Sequence, residues 1–192
     1  MKNWITLILS LAVAACQPLS SYPINSPYYQ PPTGGQLALN QAIEIPPDRA
    51  TLRFQFGKVV PSVHEYEPHC IFEVTTISEA PQRIKPDLFL ITKVRSGSSI
   101  YAAQRSQPGI MHAGWMFDDT GPTHYYYKTE MFLRSERQPH VLMLTCQHVW
   151  VVGTDWSRQR PPTLAEMQQA LGTYFTFKLP GISLVAGGWG KQ

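Results

Sequence analysis

The chain predicts an all-β domain, an antiparallel β-sandwich or small barrel, with one short α-helix near the C-terminus. Three observations carry that expectation. Apolar residues recur with a period of two through most of the chain, the spacing of strands that bury one face. A single segment switches to helical spacing. Charged residues are sparse, 15% of 192, while aromatic residues reach 11%, a composition suited to sheets that bury one broad face. The folding unit, Gln36 to about Leu179, has roughly 145 residues, enough for one sizeable core.

Taken in order, Leu37, Leu39, Ile43 and Ile45 share one face of a first run, with Gln41 the exception on it. Pro46-Pro47-Asp48 turns the chain. Leu52, Phe54 and Phe56 then alternate with Arg53 and Gln55, and Gly57 ends or bulges the run. These two runs read as neighbouring strands. Cys70, Phe72 and Val74 share one face of the next strand, and Leu88, Leu90 and Thr92 share a face of another. Ser96-Gly97-Ser98-Ser99 reads as a turn. Tyr125 to Leu133 and Val141 to Val152 are long stretches of β-favouring residues.

The helical segment follows Pro161-Pro162. Thr163 stands three residues before Glu166, the spacing of a capping box, in which each side chain satisfies the other's free backbone N–H. Leu164, Met167 and Leu171 then fall on one face, to be laid on a sheet, and Gly172 ends the run. Tyr174, Phe175 and Phe177 resume a strand, and Gly187-Gly188-Trp189-Gly190 reads as a loose tail. There is no detectable internal repeat.

The start of the chain has a different character. Residues 1–16, MKNWITLILSLAVAAC, place Lys2 before a short apolar run from Ile5 to Val13, then Ala14-Ala15 before Cys16. About nine apolar residues are too few to cross a bilayer, which takes roughly 20 as a helix. A charged start, a short apolar stretch and small residues mark a removable secretory signal. The run into Cys16 resembles the lipobox of bacterial lipoproteins, in which cleavage before the cysteine leaves its thiol bearing a diacylglycerol. That resemblance implies a signal peptide over 1–15, lipidation at Cys16 and a membrane partner reached through the acyl chains. Cleavage would lower the net charge from +3 to +2, since Lys2 is lost. Gln17 is not the Asp that commonly retains such proteins in the inner membrane, so the outer membrane facing the periplasm is expected.

Residues 16–35 form a lipidated Pro/Tyr-rich tether, with Pro18, Pro23, Pro27, Pro31 and Pro32 ruling out helix and central strand. As an extended linker it would reach on the order of 60 Å. The other reading is an arm pinned across the domain by Tyr22, Tyr28 and Tyr29. Residues 36–192 are then a single β-rich envelope domain.

With Cys16 assigned to lipid, Cys70 and Cys146 remain as a pair in an oxidising compartment, and a disulfide is expected. It would close a loop of about 77 residues, worth at most roughly 4.5 kcal/mol by chain entropy. Two buried thiols or a redox pair are the alternatives. No Cys-x-x-Cys spacing is present to lower a thiol pKa.

Signals for chemistry are weak. His64-Glu65-Tyr66-Glu67-Pro68-His69 superficially resembles a zincin helix, but that motif needs its two histidines one turn apart, and Pro68 blocks a helix interior. His64 and His69 are weak metal candidates, with a third ligand from His112, His124, His140 or His148. His69 beside Cys70 suggests a thiol–imidazole pair, yet adjacent strand residues point to opposite faces. Gly-x-Ser-x-Gly is absent. Asp118-Asp119-Thr120-Gly121-Pro122 contains one Asp-Thr-Gly, where an aspartic protease needs two such loops, and it reads as a turn. No catalytic residue and no cofactor follow.

Scattered basic residues and a near-neutral mature charge make nucleic acid a poor partner. Aromatic residues offer more, since such platforms bind sugars and proteins as well as filling cores. Tyr125 and Tyr127 share one strand face. The other face must look outward with Tyr126, Lys128, Glu130, Phe132 and Arg134, which makes Tyr126, Lys128 and Phe132 candidate binding residues. Trp115, Trp150, Trp156 and Trp189 fall near loops and strand ends.

Gln41-Ala42-Ile43-Glu44-Ile45-Pro46, Phe54-Gln55-Phe56-Gly57-Lys58-Val59, Tyr66-Glu67-Pro68-His69-Cys70-x-Phe72-Glu73-Val74 and Leu144-Thr145-Cys146-Gln147 together resemble a group of uncharacterised proteobacterial lipoproteins. The resemblance spans about two thirds of the chain and implies the lipid anchor and the paired cysteines, but no activity. The functional expectation is a non-enzymatic binding or scaffolding module for another envelope protein or a cell-wall polymer. The alternative is a periplasmic metal-binding protein or hydrolase using the His-rich loops.

Overall fold

Pairing between residues far apart in the chain arranges the strands. A computed structural model describes residues 22–24, 26–101 and 123–180. The Cys16 lipobox, His112, Trp115, Asp118-Asp119-Thr120-Gly121 and the Gly187-Gly188-Trp189-Gly190 tail lie outside the described residues. Among those described, the strands are β1 (Gln36–Leu39), β2 (Ile43–Ile45), β3 (Arg49–Gln55), β4 (Lys58–Val60), β5 (His69–Ser78), β6 (Gln82–Ile84), β7 (Asp87–Tyr101), β8 (His124–Arg134), β9 (Val141–Val151) and β10 (Phe175–Lys178). Helix α1 (Leu164–Leu171) lies between β9 and β10.

Eight strands form one antiparallel sheet in the order β10-β1-β7-β8-β9-β5-β3-β4, and β2 pairs with β6 in a separate ribbon. The sheet curls into a half-barrel. β10 is one edge and β3 lies next to the other, yet the rings of Phe54 and Phe175 meet edge-on with centroids 5.5 Å apart. Phe72 of β5 packs 5.6 Å from Phe175 and 6.2 Å from Phe89 of β7. Helix α1 lies across the gap, contacting β3, β5 and β10. The capping box forms as the sequence predicts, and Leu164, Met167, Ala170 and Leu171 face the core.

Two glycines set how closely the gap shuts. Phe56 and Gly57 link β3 to β4 with φ of 52° and 74°, the mirror-image turn that suits a two-residue hairpin. Gly57 N–H donates to the Ala170 carbonyl at 3.0 Å. Gly172, just past α1, has φ 58°, and a Cβ there would sit 2.5 Å from the Gly57 Cα. A side chain at Gly172 has no room, and a Cβ at Gly57 would sit a tight 3.3 Å from the Gly172 Cα.

The Cys70–Cys146 disulfide is present, joining directly opposed residues of β5 and β9 inside the core. Four expectations are corrected. The runs around Leu37 and Leu52 are not neighbours, because β1 sits between β10 and β7 while β3 pairs with β5 and β4. The first run also splits at Gln41, since Ile43 and Ile45 join the small ribbon. On β7, Phe89 and Ile91 are the buried face and Leu88 and Leu90 are partly exposed. Ser96-Gly97-Ser98-Ser99 is not a turn: it lies within β7, paired with Tyr126 to Thr129 of β8, whose backbone supplies the hydrogen bonds.

Of the three tyrosines expected to pin the arm, Tyr29 does so and Tyr22 and Tyr28 are exposed. Ile24 and Tyr29 pack against the core, and Pro31 and Gly35 are buried. Gly34 N–H donates to the Ile91 carbonyl, and Ile91 N–H to that of Gly35. Proline's fixed φ suits the turns of this arm, and β7 supplies further partners to Gly34 and Gly35.

Asp87 fastens the start of β7. Its buried carboxylate accepts from Ser135 Oγ at 2.7 Å, from Gln138 Nε2 at 3.0 Å, from the Leu88 amide at 2.7 Å and from the Arg137 guanidinium. The β8–β9 turn is thereby tied to the start of β7. Burial alone would raise its pKa, but these donors outweigh it and hold the carboxyl at about 2.

Gly172→Ala should cost at least about 2 kcal/mol in urea denaturation, whereas Gly97→Ala, which meets open space, should change stability by less than about 0.5 kcal/mol. Equal effects would contradict the close-contact account. Because the folded pKa of Asp87 lies below its ordinary 3.8, its stabilisation is full above about pH 4 and is lost as pH falls toward 2. Asp87→Asn should flatten the stability–pH curve in that window while lowering stability at neutral pH; an unchanged acid slope would refute this.

Candidate functional site

Strands β7, β8 and β9 run well past the phenylalanine core. Alternation along β8 and β9 continues the core face outward, so that Met131 and Thr129 are succeeded by Tyr127 and Tyr125, opposite Leu144, Cys146, His148 and Trp150. The apolar core thus grades into an aromatic shelf. Trp150 is buried, with ring centroids 6.2 Å from Tyr125 and 6.3 Å from Tyr127.

The segment between β9 and α1 folds back over this shelf. Trp150 Nε1–H donates to the Asp155 carbonyl at 2.9 Å. The Asp155 carboxylate accepts from the Ser157 amide at 2.9 Å, starting a single 3₁₀ turn, Trp156–Arg158. That turn sets Trp156 against Trp150 with centroids 5.3 Å apart, while leaving Trp156 65% exposed. A ring that large in water adds little to the core.

Charged groups fix the segment at two points. Arg158 pairs with Glu67 at 3.0 Å, in the loop leading into β5. Arg160 holds Glu166 through two hydrogen bonds, at 2.8 and 3.1 Å. Burial would raise the Glu166 pKa, but Arg160 and Thr163 outweigh it and lower it. The same Glu166 carboxylate accepts from the Thr163 amide and hydroxyl, so the cap of α1 and the shelf segment share one residue.

His148 lies beneath this segment. Its Nε2 is 2.8 Å from the Arg160 carbonyl, which can only accept, so Nε2 carries the proton. Nδ1 is then a bare acceptor, and among the described residues it is the one buried side-chain nitrogen or oxygen without a hydrogen-bond partner. Burial lowers the pKa of His148 most, with Arg158 adding to the effect; the Arg160 carbonyl and Glu166 oppose it.

The metal candidates His64 and His69 and the binding candidates Tyr126, Lys128 and Phe132 lie elsewhere. His69 is buried on the other face, its Nδ1–H donating to the Glu67 carbonyl at 3.0 Å and its Nε2 accepting from Gln147 at 3.2 Å. Both its nitrogens are therefore occupied, and burial lowers its pKa. His64 packs against Tyr66, which in turn packs against His124. Among the described residues no three His, Cys, Asp or Glu groups converge as a metal site. Lys128 pairs with Glu130 at 2.6 Å, and the Phe132 ring lies under Arg95 and Lys93, at 5.2 and 6.0 Å. Tyr126 occupies the same outer face, opposite Ser99 and Val149. A shallow open cleft of about 590 Å³, lined by Asp48, Arg49, Thr51, Arg53, Ser62 and Glu65, has charge of both signs.

Sequence alternation could place Trp150 on a face with Tyr125 and Tyr127 only once register was known. The pairing of Trp156 with Trp150 and the buried Nδ1 of His148 had no signal in spacing. Compared with models of known families, with curated proteins and with solved structures, the chain finds no match.

His148 and His69 are both held neutral by burial, so their stabilisation is present above their ordinary pKa of 6.5 and is lost as pH falls below it. His148→Gln, whose amide can replace the Nε2 donor without titrating, should reduce the loss of urea stability between pH 7.5 and 5. An identical loss in the variant would show that His148 does not report on this packing.

Proposed function

We propose that the protein is a bacterial lipoprotein of the cell envelope, anchored through acylated Cys16 at the outer membrane and facing the periplasm. Its β-domain serves as a binding module for another envelope protein or a cell-wall polymer. The lipobox-like sequence supports the address, and a buried Cys70–Cys146 bridge suits an oxidising compartment. The observation that carries the binding role is Trp156: its ring is kept largely in water while a hydrogen-bonded and ion-paired segment fixes its position on Trp150. Rigid, exposed aromatic rings bind partners with little loss of side-chain freedom, and Trp and Arg are the residues most enriched at binding hot spots. Arg158 stands two residues away.

Two measurements on the protein in its native host test the proposal. Intact mass should show loss of residues 1–15 and addition of acyl chains, with Cys16→Ser found in the soluble envelope fraction. A photo-crosslinking residue at position 156 should give discrete adducts that one at the equally exposed Ile77 does not. An unprocessed, unacylated mass would refute the anchor, and matching adduct patterns at the two positions would refute the shelf as the binding surface.

A further inference from the structure

The arm that precedes β1 leaves two aromatic rings unused by the fold. Ile24 and Tyr29 pack against the core, and turns close around them: Ser26 N–H donates to the Pro23 carbonyl, and Tyr29 N–H to that of Ser26. Tyr22 and Tyr28 instead point outward, 57% and 60% exposed, and lie against each other with centroids 5.8 Å apart. Pro23 and Pro27 beside them are exposed as well. Across 17–35 there is no charged residue, although 15% of the chain is charged. This surface is apolar and phenolic, and Ile24 and Tyr29 tie it to the domain.

Chain length fixes what it can reach. Five residues separate Cys16 from Tyr22, so their Cα atoms are at most about 20 Å apart even when fully extended. A headgroup layer is roughly 5–8 Å thick on each side of the hydrocarbon. With its acyl chains inserted, Cys16 sits at that layer. Tyrosine is enriched at such interfaces because its ring is apolar and its hydroxyl stays hydrated. An uncharged arm carries no full charge to desolvate there.

We infer that Tyr22 and Tyr28 form a membrane-contact surface that seats in the lipid headgroup layer and holds the β-domain against the bilayer. This inference rests on the lipid-anchor proposal and adds a geometry to it. Between the anchor and Tyr22 stand residues 17–21, so chain length alone keeps the two within about 20 Å of each other.

The test separates contact from natural acylation. The chain from residue 16 to 192, with its disulfide intact, has one free thiol, at Cys16. Coupling that thiol to a maleimide-bearing phosphatidylethanolamine in a supported bilayer of phosphatidylethanolamine and phosphatidylglycerol supplies the anchor whatever the native host does. Neutron reflectometry should then find protein density starting within the headgroup layer. Tyr22→Ser/Tyr28→Ser should move that density outward by about 10 Å, within the limit set by the spacer, and leave the melting temperature unchanged. Tyr22→Phe/Tyr28→Phe, which keeps the rings, should preserve contact. A hydrated gap beneath the unaltered protein, or a profile that the Ser variant leaves unchanged, would overturn the inference. If the Ser variant unfolds, Tyr22→Ser alone, at the outer end of the arm, gives the same reading.

Discussion

The meeting of Phe54 with Phe175 is the contact on which the rest depends. It joins strands from near the two ends of an eight-stranded sheet, and it can form only if the sheet curls. A curled antiparallel sheet buries its concave face without a second full sheet, but leaves an open seam between its edges. Helix α1 covers that seam, and the contact between Gly57 and Gly172 lets it approach the β3–β4 hairpin at backbone distance. Each feature needs the others. Without the helix the phenylalanines face water, and without Gly172 the helix end cannot sit this close to the turn.

The same closure positions the aromatic shelf. Glu166 belongs to the cap of α1 and also grips Arg160, whose carbonyl accepts the proton of His148. The seating of the helix is thereby transmitted to the segment carrying Trp156. The arrangement places the candidate binding surface on strands that outrun the core, held by polar contacts at its rim. Such a surface keeps exposed rings rigid without asking the core to accommodate them.

Much of the local structure was legible in the chain. Thr163 and Glu166 announced the helix start because a capping box is a contact between near neighbours, and Gly172 announced its end. Alternation marked the segments that became β3 and β5, and long runs of β-favouring residues those that became β8 and β9. It misled at Leu88 and Leu90, because Phe89 and Ile91 offer a second apolar face and only the curl decides which one is inside. Ser96-Gly97-Ser98-Ser99 carries turn-like residues yet extends β7, since pairing to β8 over a long hairpin outweighs a weak local preference. His69 drew notice as a metal ligand, but Glu67 and Gln147 occupy its two nitrogens, which spacing does not reveal.

By itself the sequence determined the antiparallel all-β class, the single helix with its cap, and the pairing expected of Cys70 and Cys146. Those properties follow from side-chain periodicity, from contacts a few residues apart, and from there being only two cysteines to join once Cys16 is set aside. Tertiary structure alone decided the strand order, the choice of buried face on β7, the docking of the arm, and the stacking of Trp156 on Trp150. All four depend on backbone hydrogen bonds and packing between residues distant in the chain, and no local pattern encodes which distant partner wins.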